Sequence, residues 1–229
     1  MYHYLENKEF IHKMRAFSGE ILQNLCHTLK EKYGIGAIFY LVGSGAKNLI
    51  TQNNKNPVDL DYNLEIIKCD DINNCCYIKE CVRKSFNIAL KKYNLNNCED
   101  SKSSLTSKNI FLKCSNRTPF HIDICITSKA NDNLYYRLIH KKTGFTYNDT
   151  YYWNIAPNSR KIKEKADYIK KNGCWQDVRE QYLYIKNRYL SQNDRYHSSF
   201  ICYIEAINNV YNSIKPKILG VAGYDILKI

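Results

Sequence analysis

From Val58 to Ile66 apolar and polar residues alternate without a break, with Val58, Leu60, Tyr62, Leu64 and Ile66 in one row and Asp59, Asp61, Asn63 and Glu65 in the other. Side chains two apart project from the same face of an extended chain, so this pattern predicts a half-buried strand. The segment from Phe120 repeats it: Phe120, Ile122, Ile124 and Ile126 take the apolar side, and His121, Asp123 and Cys125 the other. Ala37-Ile38-Phe39-Tyr40-Leu41-Val42 is continuously apolar, as in a buried strand. Asn109 to Cys114 reads as a further strand, pairing with the one that carries Asp123. Leu134 to Ile139 and Tyr151 to Ile155 flank Lys142-Thr143-Gly144 as a hairpin or short strand pair, punctuated by Pro157.

Helical spacing governs the rest. Ile11, Met14, Phe17, Ile21, Leu25 and Leu29 predict a helix from about Lys8 to Tyr33, ended by Gly34. A second runs from about Asn74 to Tyr93 through Cys81, Phe86 and Leu90. Gly43-Ser44-Gly45 lies between the apolar strand and a short helix predicted over Ala46 to Ile50. From Ser159 onward the chain reads as helical: Ile162 to Lys171, Trp175 to Leu190 and His197 to Ile214, with Gly173 between the first two. There is no internal repeat and no heptad pattern.

A chain of 229 residues accommodates one catalytic-size core, 1–157, and a helical extension, 158–229. It contains no apolar run of membrane-spanning length, and Met1 to Lys8 lacks the apolar stretch of a signal peptide, so a soluble, cytoplasmic protein is expected. The 10 cysteines are then expected as reduced thiols. Cys69, Cys75, Cys76 and Cys81 are close together, but none form the Cys-x-x-Cys pair of a zinc site. A net charge of +12 suits polyanions such as NTP or RNA, although the basic residues are spread along the chain. The 20 tyrosines offer stacking surfaces for bases, or else core rings with a hydroxyl at the edge.

The polar rows carry the candidate chemistry. Asp59 and Asp61 share a face, and pairing their strand with the second one, apolar sides together, sets Asp123 beside them. Like charges so close repel and raise one another's pKa, a cost that a divalent cation removes. Mg²⁺ (or Mn²⁺) favours carboxylate oxygens, waters and phosphates, and a pair of such ions clamps both oxygens of a phosphoryl displacement. Ahead of a helix N-terminus, the Gly43-Ser44 turn brings backbone N–H groups close to a phosphate, and Ser44 adds a hydroxyl donor. A P-loop and a dinucleotide fingerprint are excluded, because the Lys-Ser/Thr pair of one and the third glycine of the other are missing.

A strand ending in Gly43-Ser44, then Asp59-Leu60-Asp61, then Asp123 on a later strand resembles the DNA polymerase β-like nucleotidyltransferase superfamily over roughly residues 35 to 127. The segment from Gly45 to Pro57 departs from that pattern in being long and asparagine-rich. The resemblance implies an α+β fold with a small mixed sheet backed by helices, an NTP donor such as ATP, Mg²⁺, and transfer of an NMP group to a hydroxyl with release of pyrophosphate. It assigns Asp59, Asp61 and Asp123 as metal ligands, the first two for the metals on the donor's phosphates and the third for activation of the acceptor. The helices after residue 158 loosely resemble the oligoadenylate synthetase and cyclic-oligonucleotide synthase branch. There a helix lysine and a serine near the start of another helix contact the triphosphate, and Lys186 and Ser199 match. The alternatives are a solvated helix charge for Lys186 and an N-cap for Ser198 or Ser199. The acceptor is left open among a small molecule, a nucleotide and an RNA, and an inert nucleotide-binding or protein-interaction module of the same fold is the rival function.

Overall fold

A computed structural model describes residues 1–112, 118–129, 134–156, 160–194 and 197–215. The chain divides into two compact units, Met1–Asn158 and Ser159–Ile229.

The first unit opens with β1 (Tyr2–Tyr4) and α1 (Lys8–Tyr33). Asn7 caps α1 by accepting from the Phe10 N–H, and Gly34 ends it in the left-handed region that glycine adopts without strain. Then come β2 (Gly36–Leu41), the single-turn helix α2 (Gly43–Lys47), β3 (Thr51–Asn53), β4 (Val58–Lys68) and α3 (Cys75–Lys91). The remaining strands are β5 (Glu99–Asp100), β6 (Leu105–Ile110), β7 (Phe120–Lys129), β8 (Tyr135–Lys141) and β9 (Thr150–Ile155), with one 3-10 turn at Thr146–Asn148 between the last two.

Seven strands form one mixed sheet with the path β2-β4-β7-β6-β5, and β8 joins β7 and β9. The central pair β4 and β7 is parallel, and the other pairs are antiparallel. Its apolar face is the row Val58, Leu60, Tyr62, Leu64 and Ile66 beside Phe120, Ile122, Ile124 and Ile126, all buried. Met14, Ile21, Leu22, Leu25 and Leu29 of α1 and Ile78, Val82, Phe86, Ala89 and Leu90 of α3 complete that core. The helices therefore claim one face of the sheet and leave the aspartate face uncovered by them.

Two expectations shift, and two short strands go unread in the sequence. The short helix begins at Gly43 itself and ends at Asn48, which adopts a left-handed conformation (φ 58°), so Leu49 and Ile50 lie beyond it. The strand expected at 109–114 is β6 at 105–110; Asn109 has φ 55° and interrupts the pairing with β7 between Ser107 and Ile110. Short, polar β1 and β3 pair with one another and lack the length for a recognisable period. Cys114 and Pro157 lie outside the described residues.

A buried ionic cluster braces the sheet at β5 and β8. Lys79 of α3, 2% exposed, reaches Asp100 Oδ1 at 2.7 Å and donates to the Ser101 carbonyl at 2.8 Å. His140 lies between Asp100 (2.7 Å) and Asp149 (3.0 Å) and stacks on Tyr151. Burial pushes the Lys79 pKa down against the pull of Asp100.

The second unit contains α4 (Arg160–Lys171), α5 (Trp175–Ser191) and α6 (Ser199–Ile214). Ala166, Ile169, Val178, Tyr182, Ile185, Cys202, Tyr203, Ala206, Ile207 and Val210 are its buried residues among those described, and Glu205 accepts from Arg188 (2.6 Å) and the Tyr189 hydroxyl (2.9 Å). No helix among the described residues is long and apolar enough to cross a membrane. The nine described cysteines are unpaired thiols.

Candidate active site

The parallel pairing of β4 with β7 sets Asp61 directly opposite Asp123 and Asp59 opposite His121. On the far side of β7, Thr106 of β6 is the register partner of Asp123 and donates its hydroxyl to Asp123 Oδ1. The three aspartates thus sit on one face of two central strands, which hold side chains more precisely than loops do.

Asp61 is the electrostatic centre. Its pKa is raised to about 6, first by burial, then by the charges of Asp123 and Asp59, while Lys47 and Arg137 pull the other way. A carboxylate pushed up by its neighbours in this way is one that a cation would relieve. The Asp59 and Asp123 carboxylates already have other partners: Asp59 Oδ1 lies 3.1 Å from His121 Nδ1, and Asp123 accepts from Thr106. No group of three or more His, Cys, Asp or Glu side chains among the described residues is arranged to hold a metal ion.

The glycine turn abuts this cluster. Gly43 has φ 61°, in the left-handed region, and a Cβ added there would run into Asp61 Oδ2. The Val42 N–H donates to the Asp61 carbonyl at 2.8 Å, tying the turn to β4. Lys47 Nζ donates to the Gly43 carbonyl at 3.0 Å. Val42, the residue before α2, supplies no side-chain cap, and the first N–H groups of a helix have no intrahelical acceptor. The turn therefore presents backbone donors next to a carboxylate cluster, the pairing needed to hold an anion and its counter-cation together.

In the second unit, Lys186 lies on α5 with its ammonium 5.4 Å from the centre of the Tyr182 ring. Ser198 is the N-cap of α6, accepting from the Ile201 N–H, and Ser199 is the first residue of that helix.

Sequence reading did not single out Lys47, His121, Thr106 or Arg137. His121 falls in the polar row of its strand and Lys47 follows the glycine turn, so both carried a local signal. Thr106 and Arg137 required the strand register: Arg137 pairs with Thr127 on β7, and its Nε is buried with no hydrogen-bond partner among the described residues.

No protein-family model matches this chain, and no curated protein matches it in sequence. Solved structures do. The Vibrio cholerae DncV cyclic AMP-GMP synthase in complex with the linear intermediate 5' pppA(3',5')pG aligns over 90% of this chain and 68% of its own, with TM-score 0.63 and 12% identity. Its 3'-deoxy GTP bound form aligns over 90% and 67%, with TM-score 0.62 and 13% identity. Escherichia coli DncV in its 3'-deoxy GTP bound form aligns over 90% and 68%, with TM-score 0.60 and 12% identity. The chain spans about two thirds of the length of these synthases. The mixed sheet and its helical backing match the nucleotidyltransferase fold of DncV.

Proposed function

We propose that this protein is a metal-dependent nucleotidyltransferase that moves an NMP group from an NTP to a hydroxyl acceptor and releases pyrophosphate. The observation that carries the reading is the meeting of Gly43 and Asp61: a left-handed glycine whose Cβ position is crowded by the carboxylate. A turn that offers backbone donors beside a carboxylate would suit a phosphate that arrives with its divalent cation. Asp59, Asp61 and Asp123 are the residues that would hold Mg²⁺ or Mn²⁺, and the chemistry supplied by the bound metal is charge neutralisation on the phosphates and activation of the acceptor hydroxyl.

The chain's own residues divide the remaining work. The backbone N–H groups at Gly43 and Ser44 and the Ser44 hydroxyl bind the donor's phosphates. Asp59 and Asp61 anchor the donor side, with His121 and Lys47 holding Asp59 and the Gly43 carbonyl in place until substrate arrives. Asp123, fixed by Thr106, faces the acceptor hydroxyl and takes its proton as the new P–O bond forms and pyrophosphate leaves. Lys186 and Ser199 are proposed as further triphosphate contacts. The DncV structures contain GTP-like ligands or a linear dinucleotide, which supports an NTP donor and, among the acceptors, favours a nucleotide.

A second reading, an inert nucleotide-binding module, is favoured by one observation, that Asp59 and Asp123 are engaged by His121 and Thr106. Incubating the protein with each NTP and Mg²⁺ or Mn²⁺, followed by mass spectrometry, separates the two. New oligonucleotide or nucleotidylated products that vanish in Asp61→Asn support the enzyme; bound but unaltered NTP supports the module.

A further inference from the structure

The short turn that carries the proposed phosphate site is held from outside by α1. Arg15, in the N-terminal third of that helix, donates through Nη2 to the Gly45 carbonyl, 30 residues away in sequence. On the same turn Lys47 donates to the Gly43 carbonyl, while the Asn48 and Leu49 N–H groups donate to the carbonyl of Ser44. All three carbonyls of Gly43-Ser44-Gly45 are therefore engaged, two of them by cations. An isolated helix of five residues would not persist in water, because one turn fixes several dihedrals for few hydrogen bonds. Charge-assisted bonds to its carbonyls supply the missing restraint.

Arg15 accepts an unfavourable arrangement to do this. Its Nε is buried and has no hydrogen-bond partner among the described residues. Its charge also acts on Tyr62, the neighbour of Asp61 on the core side of β4. A half-buried guanidinium with an unused donor is a poor choice for stability alone, since an unsatisfied buried donor is destabilising. The position makes sense if the guanidinium's task is to fix Gly45. Gly45 itself has no spare room, because a Cβ there would lie 3.0 Å from Leu41 Cδ1.

We propose that Arg15 is a positioning residue for triphosphate binding: without touching the donor, it locks the Gly43-Ser44-Gly45 turn so that its N–H groups stay aimed at the phosphates. This inference rests on the nucleotidyltransferase reading of the turn. It assigns a role in substrate binding to a helix on the opposite side of the sheet from the aspartates.

The test compares the parent with Arg15→Met and Arg15→Lys, using inorganic tripolyphosphate and each NTP as titrants in calorimetry with Mn²⁺ present. Hydrogen exchange at residues 43–47 and a thermal melt accompany each titration. Arg15→Met is expected to weaken tripolyphosphate and NTP alike by about tenfold, the worth of one charge-assisted hydrogen bond, and to speed exchange in the turn. Arg15→Lys, which keeps charge and stem, is expected to recover most of the affinity. A lower melting temperature with unchanged affinity in Arg15→Met overturns the positioning role while leaving the site intact. Should Arg15→Met not fold, Arg15→Gln takes its place: weaker tripolyphosphate and NTP binding with faster exchange in the turn supports the role, and parent-like affinity overturns it. A parent that binds neither tripolyphosphate nor any NTP overturns the reading of the site, and this inference with it.

Discussion

Removing the Asp61 charge should stabilise the protein in the absence of divalent ions. Its carboxyl is held at about 6 against an ordinary 3.8, so the folded state binds a proton more tightly here than the unfolded chain does. A raised carboxylate pKa has its unfavourable effect above the folded value: stability falls as pH rises from 3.8 to about 6 and stays lowered beyond it. The difference between those values, at about 1.4 kcal/mol per pH unit, amounts to at most about 3 kcal/mol at neutral pH. Asp61→Asn eliminates the buried charge and its repulsion from Asp123 and Asp59 with little change of shape. Urea unfolding read through Trp153, in a Trp175→Phe background that silences the second unit, is the appropriate assay. Trp153 belongs to β9 and donates to the Ile72 carbonyl at 2.7 Å, so its emission follows the first unit. At pH 7.5 with EDTA the variant should exceed the parent by up to about 3 kcal/mol, and at pH 4 the two should nearly coincide. Saturating Mn²⁺ should then stabilise only the parent, by about 2.7 kcal/mol at one hundred times its dissociation constant. Equal stabilities at both pH values, or a less stable variant at pH 7.5, would refute the claim that Asp61 is strained by burial and its neighbours.

Further outcomes follow from the same geometry. Mn²⁺ affinity measured by calorimetry should decline as pH falls below about 6, because the proton on Asp61 then competes with the cation; pH-independent affinity between 5 and 8 would separate the metal from Asp61. Gly43→Ala must adopt a left-handed backbone and press on Asp61, so it should lose about 1–2 kcal/mol in urea unfolding together with NTP affinity; a variant that binds NTP like the parent places the phosphates elsewhere. Asp100→Ala leaves Lys79 buried without its partner and His140 with one carboxylate fewer, and should cost about 3–5 kcal/mol, with no such loss expected from replacing the exposed Glu99.

The parts of this molecule legible in the sequence are those whose pattern is local and repeated. The nine positions from Val58 to Ile66 alternate so regularly that strand, buried face and polar row follow from side-chain geometry, and α1 declares itself by its apolar spacing and by Gly34. The parallel register that sets Asp61 opposite Asp123 required two such rows, and both were readable. What escaped depends on contacts between distant segments or on backbone conformations that composition does not encode. Asn109 takes a positive φ that interrupts the pairing of β6 with β7, and no residue nearby announces it. The start of α2 was hidden because glycines read as a turn, whereas here they form the helix, held by Arg15 and Lys47. Thr106 and Arg137 enter the site through strand pairing, and an isolated threonine or arginine gives no sign of its register partner.

The most direct measurement is pyrophosphate release set beside NTP binding, for the parent and Asp123→Asn, with all four NTPs and Mg²⁺ or Mn²⁺. The proposed division of labour predicts that the parent binds NTP and releases pyrophosphate in a metal-dependent way. Asp123→Asn should then keep NTP affinity within a few fold and lose at least about a hundredfold in turnover, the scale of a lost acid–base group. A parent that binds NTP and metal yet releases no pyrophosphate with any nucleotide, RNA or small hydroxyl acceptor would contradict the enzymatic account.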